Sequence, residues 1–184
     1  MSECSPDQNA SPETDEQTMS YDEMEAELTG LAIGSPHRVW REMDGAIRHY
    51  AWHRQGREIR VTIETDALDD LTLLFDCWHG HYVTLPADRR YCFERMKNDL
   101  LLLVRGEAMV YELKCGEAWL MNGMCKLDSS TSLRDAVVQD ALRDMSPRSL
   151  ELLKNSPSVA HCRFWDAARD QRLSFEPEDW MKTT

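Results

Sequence analysis

Residues 59–64 run Ile-Arg-Val-Thr-Ile-Glu. Strict alternation of apolar and polar side chains is the signature of a strand with one buried and one wet face, and a helix would scatter the same residues around its axis. Turn-forming pairs set this segment among others of its kind. Asp44-Gly45 and Gln55-Gly56 are hairpin turns separating Val39-Trp40, Ile47 to Trp52 and Ile59 to Ile63. A helix through 38–52, using Met43 and Ile47, is the competing reading there. Leu71 to Phe75, Tyr91 to Phe93, Leu100 to Val104, Met109 to Leu113 and Ala118 to Met121 continue as short strands. Gly106-Glu107 and Cys115-Gly116 lie between them, and Ala136-Val137-Val138 closes the sheet. Many short strands with frequent turns predict a mainly β (α+β) fold, a jelly-roll-like barrel with flanking helices, and not a parallel α/β sheet.

The ends of the chain differ from this body. Residues 1–19 are polar and rich in Ser, Pro, Asp and Glu, which predicts a disordered acidic tail. Ser20 with Glu23 forms a capping box ahead of Met24, Leu28 and Leu31, and Gly34-Ser35-Pro36 stops that helix. Residues 20–184 then form a single globular domain. It has a β-rich core at about 37–140 and a helical or irregular segment over 141–184, with a short helix from Ser149 to Lys154. The net charge is −12, but residues 1–36 hold nine acids and no Lys or Arg, so 24 acids face 21 bases on the body. That balance argues against an electrostatic DNA binder, which needs a net basic face. No apolar run has the length of a membrane span, and no secretory leader is visible. The six cysteines form no C-x-x-C pair, which suits reduced thiols in a cytoplasmic protein. Cys92, Cys115 and Cys125 read as small core residues.

The stretch from Arg90 to Asp140 holds the densest motifs. Arg90-Tyr91-Cys92 is followed by Asn98-Asp99-Leu100, then Gly116-Glu117-Ala118-Trp119, then Arg134-Asp135-Ala136-Val137-Val138-Gln139-Asp140. In order and spacing this resembles the aspartyl/asparaginyl β-hydroxylase and proline-hydroxylase-like family. The resemblance implies a double-stranded β-helix that uses Fe(II) and 2-oxoglutarate to hydroxylate an amino acid or a peptidyl side chain. It places Arg134 at the co-substrate carboxylate, where a guanidinium fork has a physical use. A first His ligand is expected shortly before Arg90, where His79-Gly80-His81 puts two imidazoles on one face of a strand. The family's second His falls on Leu127, which cannot hold a metal, so a degenerate relative without cofactors is equally in keeping with the motif. Asp128 beside it is a substitute ligand only after a register shift, and Asp76 lies on the wrong parity to join the two imidazoles.

Structural roles stand beside each of these. His79 and His81 also suit a hydrogen-bonded sheet surface, Arg134 an ion pair, Trp119 the core and Asp140 a strand-end cap. A second functional class is a non-enzymatic acidic binding or inhibitory protein acting on a protein partner. Its motivation is the acidic tail and the aromatics Phe164, Trp165, Phe175 and Trp180 near the C-terminus. The basic, aromatic stretch with Trp40, His49, Tyr50, Trp52 and His53 suggests, third, stacking on nucleotides.

Overall fold

The computed structural model describes residues 19–65, 70–83 and 88–181. The expectation of a disordered tail falls on residues 1–18, outside that range, except that Met19 is fully buried in the core. The fold is α+β, with a five-stranded and a four-stranded antiparallel sheet, and neither closes into a barrel.

The chain opens with α1 (Tyr21–Thr29), capped as its sequence requires. The Ser20 hydroxyl accepts from the Glu23 N–H at 3.2 Å, and the Glu23 carboxylate accepts from the Ser20 N–H at 2.7 Å. Five strands follow in sequential order: β1 (Arg38–Glu42), β2 (Ile47–Arg54), β3 (Arg57–Glu64), β4 (Leu71–Phe75) and β5 (Trp78–His81). The turn at Gln55-Gly56 has both residues in the left-handed region (φ 51° and 79°), the type I′ geometry that two-residue hairpins favour. Ile59, Val61 and Ile63 point inward and are fully buried, while Thr62 and its neighbours Arg60 and Glu64 face outward, as the alternation predicts.

Helix α2 (Arg89–Arg105) then lies between the two sheets, touching β4 on one side and β6 on the other. It replaces two expected strands, Tyr91–Phe93 and Leu100–Val104. The reason is periodicity: Phe93, Met96, Leu100 and Leu103 recur at three- and four-residue spacing and are all fully buried. The four-leucine run hides that period, because Leu102 on the flank matches Leu100 and Leu103 in hydrophobicity. Gly106, at φ 72°, ends the helix with its N–H on the Leu102 and Leu103 carbonyls.

The second sheet is ordered β7-β6-β8-β9, from β6 (Ala108–Cys115), β7 (Ala118–Lys126), β8 (Ser158–Arg163) and β9 (Gln171–Phe175). Between β7 and β8 run α3 (Leu133–Asp144) and α4 (Pro147–Asn155). Two expectations are corrected here. Ala136-Val137-Val138 is helical, because Ser132 caps α3 by accepting from the Asp135 N–H and Val137 and Ala141 share its buried face. Residues 141–184 are not merely helical or irregular, since Ser158, Ala160 and Cys162 alternate inward on β8.

Two apolar clusters result. The first fills the space between the five-stranded sheet, α1, α2 and the Ala108 and Val110 side of β6. The second lies on the opposite face of β6, where Met109, Tyr111 and Leu113 meet α3, α4 and the C-terminal segment. Phe164, Trp165, Phe175 and Trp180 are all buried, so the C-terminal aromatics dock on the body. Trp119 was expected in the core and is instead 56% exposed, next to the β6–β7 turn. Arg57 ties the sheets together: it donates to the Phe164 carbonyl at 2.6 Å and pairs with Asp170.

Candidate metal centre

The outer face of the five-stranded sheet is where the sequence-predicted imidazoles lie. Strand register aligns Trp40, His49, Thr62, Thr72 and His81 in one row across all five strands. Side-chain contacts run along it. Trp40 stacks on His49 with ring centroids 4.5 Å apart, and His49 Nδ1 bonds the Thr62 hydroxyl at 3.0 Å. Burial pushes the His49 imidazole below its ordinary pKa, against the pull of Glu42. It is therefore a structural histidine of the row.

At the far end, His79 and His81 both project outward from β5, with ring centroids 5.0 Å apart. Asp70, at the start of β4, places its Oδ2 2.7 Å from His81 Nδ1 and 3.3 Å from the Thr72 hydroxyl. Its other oxygen, Oδ1, is buried and has no hydrogen-bond partner among the described residues. The Asp70 side chain is 16% exposed and that of His81 52%. A carboxylate on one ring nitrogen fixes the tautomer and turns the other nitrogen, Nε2, away from the pair, as in carboxylate–histidine–metal arrangements. The separation of the rings suits a shared ion. Metal–nitrogen bonds of about 2.0–2.1 Å put each centroid roughly 3.2 Å from the ion, so a 5.0 Å spacing subtends about 105° there. Asp70 was missed from sequence because its role depends on the β4–β5 register.

The other expected site residues are engaged elsewhere. Arg134, on α3, pairs with Asp179 at 2.9 Å and lies over the Phe175 ring at 4.8 Å. Leu127 packs on the second apolar cluster. Asp128 accepts from the backbone and hydroxyls of Ser130 and Thr131, which hold its carboxyl down to about 2, so it is a loop cap. Asp140 is no strand-end cap. It sits on α3 with the Tyr111 hydroxyl donating at 2.9 Å and Arg143 at 2.8 Å. Asn98-Asp99-Leu100, a strand opening by the resemblance, lies inside α2, where Asp99 accepts from the Tyr82 hydroxyl at 2.8 Å. Burial raises the pKa of the Cys92 and Cys125 thiols, as befits core residues, while Cys115 is half-buried. Tyr50 and Trp52 are core residues too, which leaves Trp40, His49 and the exposed His53 as the ring side chains of that stretch outside the core.

On the open face the expected imidazoles stand beside a carboxylate, while the expected co-substrate anchor lies on another element. Two imidazoles and an orienting carboxylate are assembled, whereas the expected 2-oxoglutarate anchor, Arg134, is held by Asp179. Among the described residues no three His, Cys, Asp or Glu side chains form a ligand set, so the centre rests on two protein donors. Among them, too, no helix is long and apolar enough to cross a membrane. No protein-family model matches the chain, and neither the curated proteins nor the solved structures give a match.

Proposed function

We propose that the chain binds a divalent transition metal on the outer face of its five-stranded sheet, with His79 and His81 as ligands and Asp70 as the group that orients His81. The observation that carries this reading is the 2.7 Å contact of Asp70 with His81 Nδ1 beside a second imidazole at 5.0 Å. Imidazole suits Zn, Cu, Ni and Fe, and two imidazoles leave the remaining coordination positions to water or to a ligand group. Fe(II)-dependent oxygenation and a double-stranded β-helix ancestry form a narrower proposal within this one. It draws support from the motif resemblance alone, and no reaction step is derived through 2-oxoglutarate. The test is calorimetric titration of the full chain with Zn(II). One saturable site is expected, lost in His79→Gln and in His81→Gln. Equal binding by wild type and both variants would refute it.

A second reading, a non-enzymatic protein that binds a protein partner, is favoured by Trp40. Its ring lies on the open face with Arg38 at 4.6 Å, Arg60 at 5.8 Å and His49 stacked beneath. Aromatic and arginine side chains are the residues most often dominant in protein interfaces. A photo-crosslinker placed at Thr62 should capture a partner that Trp40→Ser releases. Capture indifferent to that substitution would remove the reading.

A further inference from the structure

A cavity of about 240 Å³ lies where the segment after α1, the end of β2, the last turn of α2 and the segment after β8 converge. Its walls are apolar: Trp52, Trp165, Ile33 and Val104. Its rim is basic, formed by His37, His53 and Arg54. The two indoles differ in how their N–H groups are used. Trp52 donates to the Gly34 carbonyl at 2.9 Å, which fixes its ring as a wall. Trp165 is only 4% exposed, and among the described residues its indole N–H has no acceptor.

The rim groups are unequal as well. His53 Nε2 faces the Glu58 carboxylate at 3.5 Å and is engaged there. Arg54 is exposed and forms no ion pair among the described residues. His37 Nδ1 accepts the His53 backbone N–H at 3.2 Å, so the neutral ring carries its proton on Nε2, a donor. The site therefore offers an apolar slot with indole walls, and at its mouth a cationic guanidinium, Arg54, beside a neutral imidazole donor, His37 Nε2. Drug-sized ligands need roughly 300–1,000 Å³, so the occupant is smaller: one ring with a short acidic arm.

We propose that this cavity binds a small aromatic carboxylate, its ring between Trp52 and Trp165 and its carboxylate at Arg54 and His37. This proposal is independent of the metal centre. A guanidinium paired with a carboxylate makes a charge-assisted contact that a neutral amide of the same shape cannot reproduce.

The experiment is a titration of the full chain, labelled with ¹⁵N at tryptophan, with phenylacetate and separately with phenylacetamide. The Trp165 and Trp52 indole N–H signals, assigned through Trp165→Phe and Trp52→Phe, are the readout. The expected result is a saturable shift with phenylacetate and binding about tenfold weaker for the amide, the loss of one charge-assisted bond. Arg54→Gln, at an exposed position that the fold does not depend on, should weaken the acid about tenfold and leave the amide unchanged. Absence of a saturable shift at either indole would overturn the proposal. So would equal binding of acid and amide, or wild-type binding by both Arg54→Gln and His37→Gln.

Discussion

Gly123→Ala isolates what holds α3 to its sheet. Gly123 lies on β7 directly opposite Tyr111 of β6, and the Tyr111 hydroxyl passes over it to reach Asp140. A Cβ at this position would stand 2.5 Å from Asp140 Oδ2 and 2.7 Å from both the Tyr111 ring edge and its hydroxyl. Neither group is the free end of a flexible chain, since Tyr111 is fully buried and Asp140 is held by two donors. The methyl must therefore displace the pair. Overpacking costs about 1–3 kcal/mol, and weakening a hydrogen bond to a charged acceptor costs about 1.5–3 kcal/mol more. Against this, alanine regains about 0.5–1 kcal/mol of backbone entropy. A net loss of about 1.5–5.5 kcal/mol is expected in urea unfolding at constant m-value. Because Asp140 Oδ2 is the nearest atom, the same substitution in an Asp140→Ala background should cost at least 1 kcal/mol less by double-mutant cycle, as a rough bound for groups in contact. Strict additivity, or a single-variant loss below about 1 kcal/mol, would refute the account of this contact.

Three further outcomes follow from burial and charge. Burial raises the Asp140 pKa more than Tyr111 and Arg143 lower it, so the folded protein holds that proton more tightly than the unfolded chain. Wild-type stability should therefore fall relative to Asp140→Asn as pH rises from the ordinary value of 3.8 through the raised folded one, measured by urea midpoints across that window. Asp170 shows the opposite sign: burial pushes it up, but the Phe164 N–H, Arg163 and Arg57 outweigh that and hold it low. Its stabilisation is complete above 3.8 and lost as pH falls through the lowered value, and Asp170→Asn should cost about 2–3 kcal/mol at neutral pH and progressively less in acid. Trp52→Ala removes a side chain only 2% exposed and should cost about 3–5 kcal/mol, whereas Trp40→Ser, on the open face, should leave the thermal midpoint nearly unchanged.

The parts of the fold governed by local rules were legible. The capping box at Ser20, the type I′ turn at Gln55-Gly56 and the alternation from Ile59 to Ile63 are each fixed by residues adjacent in sequence, and each appears where it was read. Helices α2 and α3 were misread as strands because apolar runs such as Leu100–Leu103 and Ala136–Val138 satisfy either period over three or four residues. Only the wider spacing of Phe93, Met96, Leu100 and Leu103 separates the alternatives. Strands β8 and β9 were obscured because Ser158, Ala160 and Cys162 on β8 are small and β9 has only Leu173 and Phe175 as large apolar residues. At the site, His79 and His81 were visible because strand parity is local. Asp70 and the pairing of Arg134 with Asp179 depend on contacts between distant elements.

The most direct test of the metal centre is X-ray absorption at the zinc edge on the full chain loaded with one equivalent of Zn(II). The account predicts a first shell of nitrogen and oxygen at about 2.0–2.1 Å with the outer-shell pattern of two imidazoles, reduced to one in His79→Gln. A sulfur shell at about 2.3 Å, or no imidazole scattering that depends on His79 and His81, would contradict it.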